Sequence, residues 1–160
     1  MPEFIHNVNL LYRSQLVRHR NRPFLRAAMA ACALVSMANG AVSLRQRVRV
    51  DRVMETLDAL KIFDPHEGVE LFNEFVEGLN EDADAGRRRA MEVVAREVGQ
   101  DLGKARLLAR ICLAVSEREG AIPPAERCEI AELCRCIGLE PGAYDLDGGG
   151  AIQAATPRGT

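Results

Sequence analysis

The sequence predicts an all-α domain of about seven helices, in which a helix–turn–helix unit occurs twice around two buried central helices. Three observations predict it. Trp is absent and aromatics are 4% of the chain, so the core must come from Leu, Val, Ile, Ala and Met, which suits close-packed helices. Apolar residues recur at helical rather than alternating spacing. Finally, Met37-Ala38-Asn39-Gly40-Ala41-Val42 returns 80 residues later as Glu117-Arg118-Glu119-Gly120-Ala121-Ile122. That register also carries Cys32, Val35 and Ser36 onto Cys112, Val115 and Ser116, and Val50, Val53 and Leu57 onto Ile130, Leu133 and Ile137. So many matches in one register indicate a duplicated unit, with an approximate twofold relating its copies.

Residues 1–22 are a basic amphipathic segment with a helix expected over 3–20. Phe4, Ile5, Val8, Leu11, Tyr12 and Leu16 fall on one stripe, and Arg13, Arg18 and Arg20 lie off it. The segment suits docking on its own domain, or on an anionic membrane surface. The helical domain proper spans 23–144. Residues 23–38 are almost wholly apolar and small, the mark of a buried helix. A helix over 44–60 follows the first turn, with Ser43 and Gln46 spaced as a capping box. Asp64-Pro65 starts the next helix, which runs to about Gly78. Asn80 to Asp84 reads as an acidic connector, after which Gly86 and Arg87-Arg88-Arg89 open a helix that closes at Gly99. Residues 101–118 mirror the first central helix, and 124–137 mirror its partner before Gly138. Gly40 and Gly120 each stand where a left-handed glycine closes a helix, so the two turns are expected to share a geometry. Residues 145–160 form a Gly-rich tail. Its Asp145 and Asp147 brush against a calcium-loop pattern that lacks the closing Glu.

Composition excludes several functions. Hydrophobic content of 48%, charged content of 28% and a net charge of −2 fit a globular protein, expected to be cytoplasmic. The first 26 residues carry five Arg against Glu3 alone, and the acidic excess lies in the rest. Arg45, Arg47, Arg49 and Arg52 are interleaved with Asp51, Glu55 and Asp58, which argues for a solvated face and against nucleic acid. No Cys-x-x-Cys, phosphate loop or nucleophile motif occurs, so the five Cys read as reduced thiols and the chain as no enzyme.

The paired turns resemble those of the TerB tellurite-resistance family, whose repeats carry Asp-Gly, an apolar residue two on and a Glu six after the Gly. The resemblance spans about Arg22 to Tyr144 and includes Leu60-Lys61-Ile62-Phe63-Asp64 and Leu71-Phe72-Asn73-Glu74. It implies an all-helical pseudo-twofold domain serving tellurite resistance and stress response, with metal binding and partners that are proteins, membrane proteins or the membrane surface. In this chain the Asp before Gly is Asn39 in one copy and Glu119 in the other, and the Glu after it is Gln46 and Glu126. Only the second turn keeps carboxylates at both positions. A divalent metal is therefore expected there, on Glu119 and Glu126 with Glu117 as a weaker third, because a hard cation needs several charged oxygens. Asn39 and Gln46 make the first turn a degenerate counterpart.

Overall fold

The computed structural model describes residues 21–144. The helix expected over 3–20 and the tail over 145–160 lie outside the described residues. Within them the chain forms six α-helices: α1 over residues 21–36, α2 Leu44–Thr56, α3 Pro65–Glu81, α4 Ala83–Val98, α5 Leu102–Ser116 and α6 Pro124–Cys136, followed by a 3₁₀ turn at Pro141–Tyr144. There is no strand among the described residues, only an isolated bridge between Arg118 and Ala121.

Helix α1 is the centre. From Ala27 to Ser36 no residue is more than 3% exposed, because Ala on all sides lets other helices approach closely. Its repeat mate α5 buries Ala105, Leu108, Ile111, Cys112 and Val115. The duplication is visible in the helix boundaries. α1 ends at Ser36 and α5 at Ser116, and α2 spans Leu44–Thr56 where α6 spans Pro124–Cys136, each offset by 80 residues. Burial pushes the Cys112 thiol well above its ordinary value, and Cys32, its matching position on α1, raises it further. Burial alone pushes the Cys32 thiol up to about 12. Cys32, Cys112 and Cys134 are buried and Cys128 and Cys136 exposed, all as free thiols.

Three boundaries differ from the sequence reading, each for a local reason. α2 stops at Thr56 rather than residue 60, because Leu57 turns extended and Leu60 and Phe63 are drawn into the core through short turns. α3 runs past Gly78 to Glu81, and α4 begins at Ala83, not near Gly86. The acidic stretch between them is a helix junction: Asp82 ends α3 and caps α4 by accepting from Ala85 N at 3.0 Å, and Asp84 sits favourably in the first turn. Gly86 serves the crossing, since a Cβ there would lie 2.7 Å from the Gly78 carbonyl oxygen.

The two repeat turns share their glycine but not their path. Gly40 has φ 91° and Gly120 φ 80°. In the first copy Met37 N still bonds to Ala33 O and Gly40 N to Met37 O, so the helix unwinds gradually. In the second, α5 stops at extended Glu117, and Arg118 and Ala121 exchange backbone bonds of 2.7 and 2.9 Å around Glu119, itself at φ 52°. That is a tight two-residue reverse turn with both central residues left-handed.

Candidate functional site

The chemistry of the duplicated turns converges on one buried side chain. Gln46 and Glu126, the third residues of α2 and α6, occupy the same place in the two repeats, and both are buried, Glu126 completely. Ser43 positions Gln46. Its hydroxyl accepts from Gln46 N at 3.2 Å while its own N–H donates to Gln46 Oε1 at 3.0 Å, completing the capping box foreseen from the sequence. With Oε1 so engaged, the amide nitrogen of Gln46 points at the other repeat and donates to Glu126 Oε1 at 2.5 Å. Asn39 Nδ2 donates to the same oxygen at 3.1 Å, and the Arg118 guanidinium lies 3.6 Å from it.

In the second repeat the box cannot form, because Pro123 offers neither a side-chain acceptor nor an N–H. Glu126 is thereby released from local capping and reaches across the pseudo-axis. Its Oε2 and the hydroxyls of Ser36 and Ser116, another matched pair, are buried without a hydrogen bond of ordinary length among the described residues, although the Ser116 hydroxyl is near enough to draw the Glu126 carboxyl down. Burial pushes the Glu126 carboxyl above its ordinary range, and Arg118, Gln46, the nearby Ser116 and Asn39 pull it back part of the way.

The residues expected to hold a metal are not gathered. Glu117 and Glu119 are exposed, whereas Glu126 faces inward. The left-handed turn keeps Glu119 on the surface, away from a carboxylate that would repel it. Its counterpart Asn39, an uncharged donor, reaches Glu126 instead. Among the described residues no group of three or more His, Cys, Asp or Glu is arranged to hold a metal ion. The donors on Glu126 Oε1 are N–H groups, so in this arrangement the amides of Gln46 and Asn39 supply the positive dipoles that a cation between two carboxylates would supply. As arranged, the second turn fits a divalent ion poorly.

Sequence reasoning placed these residues in a common register but missed that the two turns touch. The signal was present in the offset itself: positions related by a twofold and lying near its axis face one another. It also missed Arg118 and two features farther out. Arg87 of α4 pairs with Glu129 at 3.0 Å and Glu132 at 3.8 Å on α6. A cleft of about 500 Å³ opens between α2 and α5, lined by Arg49, Arg52, Arg110 and an apolar wall that includes Val53 and Ile111. No helix of the described residues is long and apolar enough to cross a membrane.

Comparison with known proteins gives one relationship. The chain is similar to the tellurium resistance protein TerB of an Alcaligenes species, 28% identical over 80 residues, which is 50% of this chain. The match spans 66% of that protein's length. No family model matches the chain. No solved structure matches it.

Proposed function

We propose that this is a TerB-like helical domain that serves tellurite resistance and related stress response by binding a protein partner, without catalysis. The similarity to TerB carries the reading, supported by an all-helical fold with paired glycine turns. Gln46, Asn39 and Glu126 then act as a clasp that fixes the two repeats against each other, and the function lies on the surfaces they hold in place. The experiment is complementation: expression of the full chain in a bacterium whose own TerB has been deleted. Restored growth on tellurite is expected; growth no better than an empty vector overturns the reading.

A divalent ion at the second turn is a second reading, favoured by one observation, the unpartnered Oε2 of Glu126. It requires Glu119 to leave its surface turn. Calorimetric titration of the full chain with calcium, manganese and zinc tests it: saturable heat abolished by Glu126→Gln supports it, and no heat removes it.

A further inference from the structure

Among the described residues the duplication leaves its two halves unequally covered. On α6, Glu129 and Glu132 face α4 and hold Arg87, and on α1 the residues 27, 30, 31 and 34 are buried. The positions 80 residues away give the corresponding face of the other half: Arg49 and Arg52 on α2, and Leu107, Arg110, Ile111 and Ala114 on α5. No helix of the described residues lies over this face. It is the 500 Å³ cleft. Leu107 is only partly buried, and Arg110 and Ala114 are exposed.

The cleft has the form of a helix seat. Its α2 wall is Arg49, Arg52, Val53 and Thr56, and its α5 wall is Leu107, Arg110, Ile111 and Ala114. Each set is one helical stripe, and neither contains an acid. Arg49 is fixed in place, since its Nη1 donates 2.8 Å to the Ala114 carbonyl near the end of α5. Among the described residues neither Arg52 nor Arg110 forms a salt bridge. Where the closed face offers two Glu to an arginine-bearing helix, the open one offers arginines around an apolar floor. Residues 1–20 do not complement it, as they carry three Arg and one acid.

We infer that the α2–α5 cleft is the docking site for an amphipathic helix of a partner protein, apolar on its inner face and carrying acids where α4 carries Arg87. This deepens the partner-binding reading and rests on it for its biological meaning, but not for its test. Helix-in-groove recognition needs an apolar anchor surface, which a nucleic-acid strand would leave unused, and charge complementarity sets the choice of partner.

The test uses the full chain, followed by backbone amide shifts, and a lactam-bridged 16-residue peptide of the α4 sequence with Arg87→Glu and Arg88→Glu. Saturable shifts confined to residues 49–57 and 107–114 are expected. Arg52→Glu with Arg110→Glu, both at exposed positions, should weaken binding by about tenfold or more while leaving helicity unchanged. The same protein variant should now prefer the unaltered α4 peptide, a reversal that loss of folding cannot produce. No saturable shifts, equal binding of a poly-glutamate peptide, equal binding of a single-stranded oligonucleotide, or shifts that appear on raising protein concentration alone would each overturn the inference. If complementation succeeds and the peptide fails, the cleft falls and the TerB-like reading stands.

Discussion

Gln46 and Glu126 are the same position in two copies of one unit, and the amide of the first donates at 2.5 Å to the carboxylate of the second. Neither residue satisfies the other completely, since Glu126 Oε2 stays unpartnered, yet removing either has a different consequence. Gln46→Ala strips a buried carboxylate of its shortest donor and also removes half of a capping box. Leaving a charged group unsatisfied costs about 1–3 kcal/mol or more. Denaturant unfolding should therefore show Gln46→Ala losing more stability than Ser43→Ala, which forfeits a helix cap of about 1 kcal/mol.

Glu126→Gln tests the pH dependence. The folded carboxyl titrates above its unfolded value, so its folded state holds the proton more tightly. The stability this contributes is present below the ordinary 4.5 and is lost as pH rises from there through the folded value. Glu129 contributes with the same sign, because burial raises it too. Glu126→Gln should flatten part of that fall and leave the remainder to Glu129. At pH 7 it should be no less stable than the parent, as measured by denaturant midpoints across the acid range. A larger fall with pH in the variant would show that the carboxylate is stabilised by its site.

Gln46→Glu places two carboxylates where an amide now meets an acid. Two such groups cannot both ionise without a proton or cation between them. The variant should lose about 2 kcal/mol or more at neutral pH in the presence of a chelator. Manganese or calcium should raise its melting temperature in a concentration-dependent way, and the parent's far less. A variant that stays destabilised at every metal concentration would remove the idea that Gln46 stands in for a cation.

Gly40→Ala and Gly120→Ala isolate the backbone contribution. A Cβ would meet nothing within 4 Å at either position, so no side chain has to move. The remaining cost is the left-handed φ, about 1 kcal/mol each. The double variant should show the sum, because the two turns bond through side chains at neighbouring positions and not through the glycines. Thermal melts that match the parent would contradict the left-handed assignment.

How much could be read from the sequence follows the range of each interaction. The Ser43–Gln46 box, the Asp64-Pro65 start and the left-handed glycines are local, and each was legible. Asp82 was hidden because one residue ends a helix and caps the next, a junction that resembles an acidic linker when only spacing is available. The environment of Glu126 was illegible for another reason. Pro123 ruled out the local cap, but the partners that replaced it lie 80 and 87 residues away. The register named Gln46 as its counterpart; only packing shows that counterparts touch. Glu119 was placed with Glu126 by homologous position, yet two like charges around a buried site are kept apart by a turn of different path.

Helix α1 has consequences for how this domain comes apart. A segment whose residues from Ala27 to Ser36 are all enclosed has no face on which it can survive alone, and it shares one hydrophobic core with elements from both halves of the chain. The repeats therefore cannot behave as two separable modules, although the sequence presents them as such. Severing the chain between α3 and α4 should not release a folded half. The amides of α1 should exchange with solvent only when the whole domain opens, at the global unfolding free energy, while those at the Gly120 turn exchange through local fraying.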